Sequence, residues 1–122
     1  MSFSEPSLPV PVIRLGDYLL VPIQIDLDDK TVSLLQQQLL NEIEKVRARA
    51  LILDLQIVDI IDSYISYTLS ETAAMARLMG CRTILCKLQP AVALTLAQMG
   101  VTLKNVLIAR NLEHALVLAS RE

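Results

Sequence analysis

Histidine occurs once in this chain, glycine three times and tryptophan not at all. With His114 as the sole imidazole and Cys81 and Cys86 as the only thiols, the ligand set of a zinc site is missing, and neither a metal nor a cofactor is expected. The two cysteines flank Arg-Thr-Ile-Leu, an odd offset that turns them to opposite faces of a strand. That disfavours a disulfide between them and reads as two buried free thiols. The few glycines form no Gly-x-Gly or P-loop arrangement, so a nucleotide cradle is absent. Neither cysteine stands near His114 in sequence, and it is read as a surface or capping residue rather than a base. Aromatics make up 3% of the chain and the net charge is −2, with no Lys/Arg stripe, which leaves nucleic-acid binding without support. No apolar run approaches the ~18 residues of a membrane-spanning helix. The opening MSFSEPSLPVPV has neither the cationic nor the apolar segment of a secretory signal. A cytoplasmic protein with no membrane partner is expected.

What the chain does have is aliphatic weight. Hydrophobic residues are 53% of its 122 positions, carried by Leu, Ile, Val and Ala. That length suits one domain and one sizeable core of α/β layers. The apolar surplus implies exposed patches, and so a protein that associates with itself.

A Pro-rich start (Pro6, Pro9, Pro11) enters two strand-like runs, VPVIRL and YLLVPIQI. Gly16-Asp17 between them fits a type II′ hairpin turn. Pro22 inside the second run points to an edge or bulge there. In DLDDKTVSLLQQQLLNEIEKVRARA, residues Val32, Leu35, Leu39, Ile43 and Val46 recur at helical spacing. Asp28 and Asp29 suit its N-terminus, and Lys45, Arg47 and Arg49 its C-terminal end. ALILDLQ (50–56) is a strand, IVDIID a loop and SYISYTLSETAAMARLMG a helix with Ile65, Leu69, Ala73, Ala76 and Met79 on one face. CRTILCKL is the next strand. Pro90 opens the helix PAVALTLAQMG, whose apolar residues read as core-facing. NVLIA is a last strand, and Asn111 caps NLEHALVLAS. Gly80 and Gly100 each stand where a left-handed helix C-cap is expected. Alternation of this kind builds a mostly parallel sheet behind an antiparallel hairpin.

Sites in such sheets gather where strand carboxyl ends meet helix N-termini. DIIDSYIS, residues 59–66, lies there. Ser63 falls at or next to the N-cap, where its oxygen can satisfy an orphan N–H. The same position exposes a hydroxyl to modification. A phosphate on it would meet free N–H groups and add about 1.5 to 2 negative charges beside Asp59 and Asp62. Flanked by the apolar pair Ile60 and Ile61, that change of charge would make or break a complex. A second reading starts from Asp26, Asp28, Asp29 and Asp54, which imitate the acids of a phosphotransfer receiver. The hairpin start and the lack of a lysine after NVLIAR count against it, and helix capping accounts for Asp28 and Asp29.

The order hairpin-α-β-α-β-α-β-α, the LILDLQ strand, the Asp-Ser pair opening a helix and the run LMG-x-strand-QPAVA together resemble a STAS domain, the domain of bacterial anti-sigma factor antagonists. DIIDSYIS and LMGCRTILCKLQPAVALTLAQMGVTL are similar to the single-domain scaffold branch found in stressosomes. The likeness runs from about Pro11 onward, giving an extended arm over 1–10 and a STAS domain over 11–122. On that likeness, the N-terminal sensor of the larger paralogues is not expected. The resemblance implies an α/β fold with a mixed, mostly parallel sheet, an antiparallel N-terminal hairpin and four helices.

It also implies a non-enzymatic scaffold. The implied partners are copies of itself, paralogous STAS proteins with N-terminal sensor domains, a switch serine/threonine kinase and a metal-dependent phosphatase. The unmodified scaffold holds the kinase, and phosphorylation at Ser63 frees it toward a stress-response cascade that releases a sigma factor. Asp59, Ile60, Ile61, Asp62, Ser63 and Tyr64 form the implied partner-binding loop. Thr95 lies where the larger paralogues have a second acceptor, and is not expected to be used. Free antagonists have small residues after the serine. Tyr64-Ile65-Ser66 departs from that, fits the scaffold branch, and with Ser70 supplies neighbouring hydroxyls. The alternatives are a receiver acting through Asp54, a free monomeric antagonist, and a structural subunit without a switch.

Overall fold

In the computed structural model, residues 10–98 and 105–121 are described. Their elements run β1 (Ile13–Leu15), β2 (Tyr18–Pro22), α1 (Asp29–Val46), β3 (Ala50–Asp54), α2 (Ser63–Leu78), β4 (Arg82–Cys86), α3 (Pro90–Gln98), β5 (Val106–Ala109) and α4 (Leu112–Ser120). One five-stranded sheet has the order β1-β2-β3-β4-β5. The β1-β2 pair is antiparallel and the remaining three are parallel.

The turn works as its composition requires. Leu15 pairs with Tyr18, leaving Gly16 and Asp17 as the loop, and only Gly16 takes a positive φ, at 62°. That combination fits the II′ geometry and not I′, which needs both central residues there. Pro22 ends β2 beyond the reach of β1. Since Ile23 N–H bonds to the Asp54 carbonyl on the β3 side, the nitrogen of Pro22 faces the side where the hairpin ladder has stopped. The missing donor costs nothing there.

Strands β2 to β5 follow one another in both chain and sheet order. Each crossover moves the same way, and right-handedness therefore sends α1, α2 and α3 to one face. The main core forms under them, with Leu19, Val21 and Ile23 of the β2 segment, Leu51 and Leu53 of β3, and helix residues such as Leu35, Leu39, Ile65, Ala73, Val92 and Leu96. Among the described residues β5 is followed by no further strand, and α4 covers the other face. It packs Ala115 and Ala119 on Ala50, Ile52, Ile84, Cys86 and Ala109. Alternation along the strands feeds both layers, which is why ALILD is apolar almost throughout.

Local chemistry sets the helix ends. Asp28 caps α1 by accepting from the Thr31 N–H at 2.7 Å. The Thr31 backbone and side-chain hydrogen bonds hold its carboxyl below the ordinary carboxylate value. A depressed folded value means that this cap favours folding at neutral pH and is lost as pH falls into the acid range. Arg47 closes α1 in the left-handed region, φ 54°, a position better suited to glycine. Gly80 takes φ 84° after α2, as expected. Gly100 lies outside the described residues. Asn111 caps α4 through the His114 N–H, and His114 Nδ1 in turn accepts from the Arg110 N–H, so the histidine serves the local cap.

Three expectations change. Val10, placed in the arm, is buried in the core. Met79 leaves its stripe, exposed beyond the end of α2, whereas Val46 at the end of α1 is half-buried against the main core as its spacing implies. In α3 only Val92 and Leu96 face the core, while Leu94 is exposed.

Cys81 and Cys86 are buried and free, and they belong to opposite faces of the sheet. Burial pushes the Cys81 thiol up to about 12. Burial, then the charge of Asp54, pushes Cys86 to about 11. Neither thiol should react with a disulfide reagent at pH 8 until the protein unfolds, because the thiolate is scarce and covered; the release kinetics of a chromogenic thiol reagent check this. Arg47→Gly should raise stability by about 1 kcal/mol, read as a higher urea midpoint at unchanged slope, by removing the left-handed strain.

Candidate functional site

The central strand β3 ends in Asp54, and its exit loop is fastened at each step. Leu55 N–H bonds to the Cys86 carbonyl at 3.0 Å, Gln56 N–H to Asp54 Oδ1 at 2.9 Å, and Val58 N–H to the Leu55 carbonyl at 3.1 Å. Gln89 Nε2 donates to the Gln56 carbonyl at 2.7 Å, tying the loop to the start of α3. Val58 and Ile61 point into the core and pin the loop, while Asp59, Ile60, Asp62 and Ser63 face solvent.

The expected apolar pair is thereby split. Ile60 is 74% exposed, but Ile61 is 5% exposed and sits in the main core with Ile65 and Val58. Ile61 is corrected from a partner-facing residue to a packing one. The loop has too few apolar anchors to leave both isoleucines outside, and the next helical turn needs one beneath it.

The serine is also resolved. Ser63 is the first residue of α2, and the cap is Asp62, whose Oδ1 accepts from the Ile65 N–H at 2.9 Å. The capping function that the serine alone could have served is taken by its neighbour. Ser63 Oγ is exposed and has no hydrogen-bond partner among the described residues, at the positive end of a 16-residue helix. Tyr64 does not cover it. That ring reaches toward α1, where its hydroxyl meets Ser33 Oγ at 3.0 Å.

The neighbouring hydroxyls are spent. Ser66 is fully buried and donates to the Asp62 carbonyl at 2.9 Å, and Ser70 is half-buried. Thr95, on α3, donates to the Ala91 carbonyl at 3.0 Å. Of the hydroxyls singled out in the sequence, Ser63 alone combines exposure with a free oxygen.

The receiver-like acids are not a set. Asp28 caps α1, Asp29 lies in its first turn, and Asp54 is held by its own loop. Among the described residues no group of three or more His, Cys, Asp and Glu is placed to hold a metal ion. One contact was missed from sequence. Lys87 Nζ lies 3.5 Å from Asp54 Oδ2 and the same distance from Gln56 Oε1. Lys87 follows β4, not the last strand, and becomes Asp54's neighbour only because β3 and β4 pair in register.

A second missed feature is polar. Gln36 of α1 donates to Glu71 Oε1 at 3.0 Å and Thr72 Oγ1 at 2.9 Å of α2, while Thr72 bonds back to the Thr68 carbonyl. It fixes the two helices that flank the loop. On the outer side of α2, Tyr64, Tyr67, Met75 and Leu78 stay exposed at helical spacing, continuing from Ile60. No helix among the described residues is long and apolar enough to cross a membrane.

The family model of the STAS domain matches residues 10–115. The fold is similar to the solved structure of Moorella thermoacetica RsbS carrying a serine-to-glutamate substitution, at 32% identity and a TM-score of 0.79, over 91% of this chain and 94% of that one. It is also similar to a chain of a solved stressosome, at 27% identity and a TM-score of 0.71, over 89% of this chain and 95% of that one. Among curated proteins it resembles the RsbT co-antagonist protein RsbRB of Bacillus subtilis, 29% identical over 107 residues. That match takes in 87% of this chain and 39% of the relative, so the chain spans about two fifths of the length of the curated relative.

The split of the isoleucine pair has a measurable consequence. Ile61→Ala should cost about 2–4 kcal/mol in a urea titration, whereas Ile60→Ala should stay within about 0.5 kcal/mol of the parent.

Proposed function

The chain belongs to the STAS domain family, and from that premise we propose that it is a non-catalytic, phosphorylatable scaffold of the stressosome type. In this reading it is a cytoplasmic anti-sigma factor antagonist that assembles with copies of itself and with paralogous STAS proteins carrying N-terminal sensor domains. In its unmodified form it holds a switch serine/threonine kinase against the loop of Asp59, Ile60, Asp62, Ser63 and Tyr64. Phosphorylation of Ser63 releases the kinase toward a stress-response cascade, and a metal-dependent phosphatase resets the state.

The observation that carries this reading is the division of labour at the start of α2. Asp62 caps the helix, which leaves Ser63 Oγ exposed and unengaged. Removing that hydroxyl, or adding a phosphate to it, breaks no internal bond of the fold. The phosphate would carry about 1.5 to 2 negative charges into a surface that already has two exposed acids, Asp59 and Asp62. A partner that tolerates the neutral loop then meets concentrated charge beside the apolar side chain of Ile60. The likeness to RsbS and to a stressosome chain over most of the sequence supports the scaffold branch, and so does Tyr64 in place of a small residue.

Incubation with a cognate switch kinase, followed by mass spectrometry, should place phosphate on Ser63. Labelling confined to any other residue would remove the proposal. Ser63→Ala should keep the kinase bound, and Ser63→Asp should weaken binding by about tenfold or more, equivalent to ~1.4 kcal/mol. Both variants should melt within a few degrees of the parent, and equal affinity of the two for the kinase would contradict the charge mechanism.

A further inference from the structure

At the opposite end of the sheet from Ser63, the strand entrances form a cleft of a different character. Arg77 in the last turn of α2, Arg82 at the start of β4 and Arg121 just past α4 line a hollow of about 190 Å³, together with Arg49, Gly80, Cys81 and Ala119. The same three arginines border a second hollow of about 280 Å³, completed by Asn105, Leu107 and Leu118. Among the described residues no acidic side chain lines either one.

Helix ends use part of this charge. Arg82 donates one N–H to the Leu118 carbonyl at 3.1 Å, near the end of α4, and Arg77 sits at the carbonyl end of α2. The rest is surplus. Arg82 keeps its remaining guanidinium donors, and Arg77 and Arg121 have no side-chain hydrogen bond or ion pair among the described residues. Like charges facing one cleft repel, and an anion between them relieves that repulsion. Planar guanidinium forks suit an oxyanion that can accept several bonds at once, as a phosphate does. The adjoining hollow, with two leucines and an amide, offers apolar contact and one polar handle for an organic group.

We propose that this cleft is a binding site for a small phosphate monoester, with the phosphate on Arg77, Arg82 and Arg121 and the organic group against Leu107 and Leu118. The site is independent of Ser63 and lies at the other end of the strands.

The test titrates the full chain with phenyl phosphate, inorganic phosphate and, at matched ionic strength, sodium chloride, by calorimetry and amide NMR. Phenyl phosphate should bind saturably and more tightly than inorganic phosphate, with shifts at Gly80, Arg82, Leu107 and Arg121 and none at Ser63. Arg121→Gln should weaken binding about tenfold without moving the urea midpoint, and Arg77→Gln should weaken it about tenfold with a small drop in midpoint from the lost charge at the end of α2; Arg82 is left intact because it also caps α4. Shifts that chloride reproduces, titrations that never saturate, or unchanged affinity in the double variant Arg77→Gln/Arg121→Gln would overturn the site. Phenyl phosphate binding no tighter than inorganic phosphate would overturn the ester assignment.

Discussion

Four strands that pair in the order in which they are made leave their crossover helices no choice of side. With β2 to β5 in sequence and every connection right-handed, α1, α2 and α3 must share one face of the sheet. Everything about the candidate site follows from that constraint. The exit loop of β3 rises at the carboxyl edge between α1 and α2, and the in-register pairing of β3 with β4 brings Lys87 beside Asp54. The polar bridge from Gln36 to Thr72 and Glu71 then fixes how α2 lies against α1, and so where its first residue emerges.

At that first residue, two adjacent side chains do different jobs. Asp62 meets the needs of the helix terminus, and Ser63 is left with none. A side chain left free in this way can be altered without loosening the fold, which a group that holds the fold together cannot. The buried hydroxyls of Ser66, Thr68 and Thr72 show the contrast: each is committed to a backbone carbonyl one turn earlier. The core isoleucine at position 61 and the exposed one at position 60 repeat the pattern in apolar form, one anchoring the loop and the other facing outward.

The two ends of the sheet differ in kind. The carboxyl end carries Asp28, Asp29, Asp54, Asp59 and Asp62 near helix N-termini, while the amino end gathers arginines near helix C-termini. Helix dipoles favour both placements. This chain thus keeps an exposed serine among acids at one end of the sheet and an arginine cleft at the other, with apolar strands between them.

Much of this was written in the chain itself. Period-two and period-3.6 patterns located the strands and helices. Gly16-Asp17 specified the hairpin, Asp28 and Asn111 the caps, and Asp62-Ser63 the start of α2, because each acts over a few residues of contiguous backbone. Only the folded sheet decided which of Ile60 and Ile61 is core, that Asp62 rather than Ser63 is the cap, that Ser66 is sealed, and that Lys87 and three distant arginines find their neighbours. The choice of Asp62 over Ser63 turns on a helix start that local pattern leaves open by one residue. The burials and the long-range meetings depend on strand register and helix rotation, which set distances between residues far apart in sequence.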